Sequence, residues 1–176
     1  MSRIQIVTDN AALRKLMELL AEKMETVPSG IVLLDAADMA RLPEFPKERT
    51  VLFTASADPF CLDNARKTEA AGFWYLQPSV EALEEVLTAI ARGERVFPQQ
   101  PPVVRLGDAI SSNLSVRELE VLREIAAGRT DSEISNTLNI AVPTVKYHIQ
   151  QLLFKTGFGN RTQLAVRAVF AGLIRP

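Results

Sequence analysis

The stretch TDSEISNTLNIAVPTVKYHIQQLLFKTG, residues 130–157, predicts two helices joined by a tight turn. It begins with TDSE, which fits the Ser/Thr-x-x-Glu capping box at the start of a helix. Gly157 is placed to end the second helix. Between the helices lies Asn139, a residue type that can adopt the left-handed conformation a sharp turn needs. A short helix, a tight turn and a longer helix form a helix-turn-helix.

The longer helix, predicted at 142–156, has two distinct faces. Val145, Ile149, Leu152 and Leu153 recur at helical spacing and form one buried stripe. The opposite face is neither charged enough for simple solubility nor apolar enough for a core, so another surface must contact it. That face carries Pro143, Lys146, Tyr147, Gln150, Gln151 and Phe154.

Two more helices flank this pair. SVRE (115–118) is a second capping box, and NRTQ (160–163) is its Asn/Gln analogue. With the helix at 130–138, these signals predict helices at about 115–127 and 160–171.

A change in composition separates this helical segment from the residues before it. The segment VFPQQPPVVRLGDAISSN (96–113) is rich in Pro, Gly and Ser and favours a linker over a helix or strand. We therefore predict three parts: a first domain at 1–97, a linker at 98–113 and an all-helical domain at 114–176.

The first segment alternates short apolar runs with helical patterns, which is typical of a parallel sheet covered on both faces. We expect a small doubly wound α/β domain of about four strands, followed by the four-helix domain. The predicted strands are IQIV (4–7), GIVLLD (30–35), TVLFTA (50–55) and FWYL (73–76), and the predicted helices lie at 11–24, 60–72 and 79–93.

Composition excludes several classes of protein. The 176 residues are 47% apolar, which fits a globular protein, and no apolar run is long enough to span a bilayer. The single cysteine, Cys61, excludes an internal disulfide. No Cys/His cluster has metal-ligand spacing. We expect a cytoplasmic protein that is not an enzyme, with no catalytic residues, no metal and no cofactor.

The charges are distributed unevenly. Residues 1–107 carry a net charge of −3 and residues 108–176 a net charge of +2. After Glu133 there is no acidic residue, while five Lys and Arg residues follow. Such a stretch is compatible with a phosphate backbone, although a chance excess of five charges remains the alternative.

Residues 114–174 closely resemble the LuxR/NarL-type DNA-binding domain. In that family the third helix enters the major groove and the fourth makes a dimer contact, so the resemblance implies double-stranded DNA as partner and a homodimer. The matching positions are Leu114, Ser115, Arg117, Glu118, Glu120, Val121, Leu122, Gly128, Glu133, Ile134, Leu138, Ile140, Thr144, Val145, Lys146, His148, Lys155, Gly157, Asn160, Arg161 and Gly172.

The resemblance and side-chain chemistry together suggest roles on the third helix. Lys146, Tyr147 and Gln150 lie where the family reads base edges, and Gln151 is a neighbour within reach. Lys donates to guanine and Gln pairs with adenine. The expected phosphate or positioning groups are Thr144, His148 and Lys155. For His148 the alternative is a helix residue beside the buried stripe with no role in binding.

Some positions depart from the family. Ala141 stands where a capping Ser is usual, and Asp131-Ser132 replaces the common Asn-Lys. Phe154 occupies an outer position that is usually polar, and Thr156 replaces the usual Leu. Because the groove face is less basic than usual, we expect modest, salt-sensitive affinity for DNA.

The first segment resembles a response-regulator receiver domain through IVTDN (6–10), VLLDAADM (32–39) and VLFTAS (51–56). By position, Asp35 would accept phosphate, Asp9 would hold Mg²⁺ and Thr54 would sense the phosphoryl group. The usual acidic pair is reduced to Thr8-Asp9, and Gln77 replaces the phosphate-binding lysine. The segment is also short, which indicates that the second strand and helix of a receiver are deleted.

The predicted fourth helix is apolar on two opposed faces. One stripe, with Leu164 and Ala168, serves to dock it onto the other helices. Val166 and Phe170 point the other way and are expected to form a dimer contact. The alternative is that they cover the first domain within one chain.

Three functions remain open. The first is a dimeric, sequence-specific transcriptional regulator that works without phosphorylation. It either receives an unknown protein or small-molecule signal at its first domain or is constitutively competent. The second is a conventional response regulator phosphorylated at Asp35. The third is a protein-interaction module whose helix-turn-helix no longer binds DNA and contacts a partner through Tyr147 and Phe154.

Overall fold

The computed structural model describes residues 4–24, 28–76 and 80–174. They form two compact units. The first unit comprises residues 1–55 and 59–101, and the second comprises residues 56–58 and 102–176. Gln77, predicted to replace the phosphate-binding lysine, lies outside the described residues.

The first unit contains one four-stranded sheet in which neighbouring strands are parallel. The strands follow chain order across the sheet: β1 (Ile4–Val7), β2 (Ile31–Asp35), β3 (Thr50–Thr54) and β4 (Gly72–Tyr75). Every residue of β2, β3 and β4 is buried, as continuous apolar runs predict. The helices of the unit are α1 (Ala11–Lys23), α2 (Pro59–Arg66) and α3 (Val80–Ala91).

Separate cores cover the two sides of this sheet. In one, Met17 of α1 and Leu83 of α3 pack with Phe53 of β3. In the other, Leu62 of α2 packs with Leu34 of β2. A 3-10 helix over Ala36–Glu44 also contributes to the second core. The expectation of a four-stranded parallel sheet covered on both faces is therefore confirmed.

The helix predicted at 60–72 is shorter than expected and ends at Arg66. Near its end, the amide and hydroxyl of Thr68 both donate to Ala65 O, so this carbonyl has local partners. Ala71 N then donates to Thr50 O, which starts the pairing of the next strand. The prediction placed too much of this connection in the helix.

Strand β1 lies at an edge of the sheet. No further strand or helix separates α1 from β2 among residues 24 and 28–30, as the predicted deletion requires. Edge carbonyls lack a strand partner. Arg14 of α1 donates hydrogen bonds here instead: its guanidinium donates to Ile6 O at 3.3 Å and to Thr8 O.

The second unit contains the predicted four helices: α4 (Val116–Ala126), α5 (Asp131–Leu138), α6 (Val142–Thr156) and α7 (Arg161–Phe170). Both capping boxes are present, Ser115 with Glu118 and Thr130 with Glu133. In each, the Ser or Thr hydroxyl accepts from the Glu amide while the Glu side chain accepts from the Ser or Thr amide. These local signals were sufficient to predict where the helices begin.

The second half of the predicted linker differs from the expectation, because it forms an antiparallel ribbon of β5 (Arg105–Leu106) and β6 (Ala109–Ile110). Its turn contains Gly107 at φ 62°. A Cβ at Gly107 would lie 2.0 Å from Thr156 O, so only glycine allows the turn to approach the end of α6 this closely.

Candidate nucleic-acid interface

The turn between α5 and α6 is closed by Asn139, which adopts the left-handed conformation at φ 50°. On either side of it, Ile140 N donates to Ser135 O at 3.0 Å and the Ser135 hydroxyl donates to Ile140 O. These bonds satisfy backbone groups that a helix end leaves without partners. They fix the direction in which α6 leaves the turn.

Helix α6 is held against the second unit by its inner face. Val145 and Leu152 are fully buried, whereas Ile149 and Leu153 are half-buried. Thr156 is buried too, and its hydroxyl donates to Leu152 O at 2.7 Å while its carbonyl accepts from Asp108 N. Threonine is therefore tolerated at this buried position, where an apolar residue is usual, because its hydroxyl has a hydrogen-bond partner.

The start of α6 has no side-chain cap, as the sequence predicted from Ala141. Ala141 O accepts from Thr144 N and Val145 N, and Pro143 in the first turn has no amide hydrogen. Proline at this position reduces the number of amides that need a partner.

The outer face of α6 presents Lys146, Tyr147, Gln150 and Phe154 as exposed side chains. Within the described residues, Lys146 and Gln150 make no intramolecular hydrogen bond or ion pair, so their polar groups are available to a partner. The remaining predicted base contact, Gln151, is half-buried.

Two of the residues predicted to contact phosphate, Thr144 and His148, are half-buried at the side of α6. The His148 ring packs edge-on against Tyr147, with centroids 5.6 Å apart. Thr144 and His148 thus lie between the buried stripe and the exposed face.

Lys155 has a partner that the sequence did not reveal. Its ammonium donates to Glu118 Oε2 at 2.8 Å and to Asn113 O at 3.2 Å. Glu118 is the buried carboxylate of the α4 capping box. Lys155 therefore joins the end of α6 to the start of α4, and this geometry favours a positioning role over a direct phosphate contact.

The carboxyl of Glu118 experiences opposing effects. Burial alone would raise its pKa, but the hydrogen bond from Lys155 and those from Ser115 outweigh burial and hold the pKa below its ordinary value. Glu118 is thus a charged carboxylate surrounded by donors at the point where α4 and α6 meet.

Helix α7 is docked by Leu164 and Ala168, which are fully buried. On its other side Val166 and Phe170 are exposed, so both faces lie as predicted. The expected NRTQ box is altered: Asn160 Oδ1 accepts from Gln163 N, but Gln163 Oε1 accepts from Gly159 N, one residue before the reciprocal position.

Asp131, which stands where Asn is common in the domain that this segment resembles, forms an ion pair inside the second unit. Arg161 at the start of α7 donates to Asp131 Oδ1 at 2.7 Å and to Arg129 O at 2.7 Å. This pair ties the first turns of α5 and α7 together. Asp131 is therefore already neutralised by Arg161.

The candidate phosphorylation site lies at the carboxyl ends of β1 and β2. Asp35 is buried; its Oδ2 accepts from the Thr8 hydroxyl at 2.8 Å and its Oδ1 from Ala37 N at 2.9 Å. Thr8 Oγ1 also accepts from Asn10 N, while Thr54 is buried and Asp9 is exposed. Within the described ranges, no three His, Cys, Asp or Glu side chains converge as metal ligands.

Comparison with known proteins identifies the helical region. Residues 112–168 match the family of bacterial regulatory proteins of the LuxR type. The chain contains a LuxR-type helix-turn-helix domain. In this domain α6 is the longer helix of the motif, and the exposed face described above belongs to it.

Proteins similar to this chain include regulators from two bacteria. The nitrate/nitrite response regulator protein NarP of Escherichia coli (strain K12) is 33% identical over 119 residues, 64% of this chain and 54% of NarP. The uncharacterized transcriptional regulatory protein YvfU of Bacillus subtilis (strain 168) is 29% identical over 126 residues, 72% of this chain and 62% of YvfU. The chain thus spans less than two thirds of either protein.

A solved structure shares the fold. RcsB from Salmonella enterica serovar Typhimurium, bound to promoter P1flhDC in the presence of the phosphomimetic BeF3-, aligns with a TM-score of 0.51 and 18% identity. The alignment covers 96% of this chain and 97% of RcsB. Helices long and apolar enough to cross a bilayer do not occur in the part of the chain that the structure describes.

The position of Glu118 gives a prediction for stability. Since its folded pKa lies below the unfolded value of about 4.3, the charged carboxylate stabilises the fold above that pH. This contribution is lost as the pH falls through the folded pKa. Glu118→Gln should lower the free energy of unfolding by about 1–3 kcal/mol at pH 7. The difference from wild type should shrink below pH 4.

Calorimetric melting between pH 3 and 7 measures this difference, with Glu124→Gln on the same helix as the control. A Glu118→Gln penalty that stayed constant across the whole range would show that the charge of Glu118 contributes nothing.

Proposed function

We propose that the protein is a sequence-specific DNA-binding transcriptional regulator whose α6 enters the major groove. The observation that carries this proposal is the exposed face of α6, on which Lys146 and Gln150 are free to make intermolecular hydrogen bonds. From residue 134 to the end of the sequence there is no acidic residue, so nothing on α6 or α7 repels a phosphate backbone.

The proposed base contacts are Lys146, Tyr147 and Gln150, with Gln151 as a neighbour. Lysine donates to the acceptor edge of guanine, and glutamine can pair in two places with adenine. Thr144 and His148, at the side of α6, are the proposed phosphate contacts. Lys155 is the exception, because it holds Glu118 and so acts on α6 rather than on DNA.

Selection of bound sites from random DNA by the full chain tests this function. On the selected site, Lys146→Ala and Gln150→Ala should each lower the affinity by about 1–3 kcal/mol, because each removes a base-edge contact. The control Lys15→Ala, an exposed lysine of α1, should have no effect. Fluorescence anisotropy at several salt concentrations gives both the affinity and the salt slope.

Two outcomes would contradict the proposal. If no sequence is enriched even at low salt, the alternative of a protein-interaction module gains support. Equal losses for Lys15→Ala and Lys146→Ala would mean that binding depends on total charge and not on α6.

We propose further that regulation does not use phosphorylation of Asp35. The Thr8 hydroxyl donates to this carboxylate where a receiver has a second acid. Mg²⁺ prefers carboxylate oxygens, so replacing an acid by Thr8 weakens a metal site at this position. Gln77, which carries no charge to offset a phosphoryl group, adds to the argument from sequence. The first unit then responds to a protein or small molecule, or leaves the protein constitutively active.

Acetyl phosphate or beryllofluoride with Mg²⁺ should therefore leave both the oligomeric state and the DNA affinity unchanged. Intact mass, sedimentation and anisotropy measure the adduct, the assembly and the affinity. A stoichiometric adduct at Asp35 that tightened binding would restore the conventional phosphorelay function.

The exposed face of α7 is the proposed dimer contact. Val166 and Phe170 lie one helical turn apart, and Phe170 is 85% exposed. Pairing this face with its copy would bury both side chains and present two α6 helices to related half-sites.

Phe170→Glu combined with Val166→Lys should give a folded monomer that binds one half-site weakly, because the apolar contact is lost. Val116→Lys combined with Val103→Glu is the control, since these valines are 68% and 65% exposed elsewhere in the second unit. Analytical ultracentrifugation and footprinting report the result. Continued dimerisation with wild-type affinity for the full site would exclude α7 as the contact.

A further inference from the structure

Phe154 is the large apolar side chain that α6 leaves most open, with 86% of its surface exposed. At 3.6 residues per turn, its direction is about 180° from Val145 and about 160° from Leu152, the two fully buried residues of the helix. Phe154 therefore lies near the middle of the outer face and is not a peripheral residue of the core.

Single exposed apolar residues are common and need no explanation. Phe154, however, belongs to a group. Gln150 lies one turn before it and Tyr147 two turns before it, so the three side chains form a row along one face of α6. Any surface that contacts Gln150 and Tyr147 by lying along this helix also meets Phe154.

The charge of α6 and α7 restricts the kind of partner surface that can contact this row. Lys146 lies beside the row, and neither α6 nor α7 contains an acidic residue. A partner with negative charge and an apolar group inside a groove matches this combination. The major groove of DNA provides both, because thymine presents a C5-methyl group between base edges that are otherwise polar.

We propose that Phe154 contacts the methyl group of a thymine and makes the protein selective for thymine at that position. The proposal rests on the DNA-binding function proposed above. Gln150 and Phe154 are separated by about 6 Å along the helix axis. Because base pairs are about 3.4 Å apart, the thymine lies about two base pairs from the base that Gln150 reads.

Deoxyuridine tests the contact directly, because it pairs like thymidine but lacks the methyl group. Each thymine of the selected site is replaced singly by deoxyuridine, and affinity for the full chain is measured by anisotropy. At one or two positions the affinity of the wild type should fall about fourfold, the value expected for one buried methyl group.

Phe154→Ala should bind the thymine site several-fold more weakly and should lose the response to deoxyuridine at those positions. Phe154→Leu, which keeps an apolar side chain, should retain part of the response. Val116→Ala, a truncation of an exposed apolar residue on α4, should behave like wild type. Circular dichroism and melting confirm that each variant is folded.

The failures of the two proposals are distinguishable. Site-specific binding without any response to deoxyuridine, or with the same response in Phe154→Ala, overturns the thymine contact and leaves DNA binding intact. Absence of binding to any DNA at low salt overturns both. Unchanged DNA binding by Phe154→Ala also overturns the contact and points to a protein partner at this residue.

Discussion

The carboxylate of Glu118 is the group on which the arrangement of the second unit depends. It accepts from Ser115 N at the start of α4 and from the Lys155 ammonium at the end of α6. A buried carboxylate that loses a donor is costly, so the two helices are held at this point together. With Val145 and Leu152 buried on its inner face, α6 can neither rotate nor lift without breaking these contacts. Its outer face is therefore preorganised.

In the first unit the buried carboxylate of Asp35 also accepts a hydrogen bond, in this case from the neutral hydroxyl of Thr8. A second carboxylate beside Asp35 would leave two adjacent negative charges that only a cation could stabilise. Thr8 removes one charge and supplies a donor, so the site is satisfied within the chain. Strand β1 lies at the edge of the sheet, where Arg14 donates to the carbonyls of Ile6 and Thr8. In both places the polar groups of the first unit find their partners within the chain.

What could be predicted from the sequence was encoded within a few residues. A capping box needs only two residues three positions apart in sequence, and the left-handed turn at Asn139 needs one residue of the right type. Continuous apolar runs likewise predicted the parallel strands. The contacts that were not predicted join residues far apart in sequence or are shifted by one residue from the expected pattern. Glu118 and Lys155 are 37 positions apart, and Gln163 bonds Gly159 rather than Asn160. The hairpin around Gly107 looked like a linker because each strand has only two residues.

The exposed aromatic residues of α6 and α7 differ in what surrounds them, and this difference separates their proposed partners. Phe170 is one turn from Val166, so its face offers apolar area that another apolar face can bury. Phe154 is one turn from Gln150, whose amide needs a hydrogen-bonding partner, and Lys146 is exposed one further turn before Gln150. An apolar protein surface would desolvate that amide without replacing its bonds. A groove that combines base edges with a methyl group avoids this cost, so DNA is the better match for Phe154 and a second copy of the chain is the better match for Phe170.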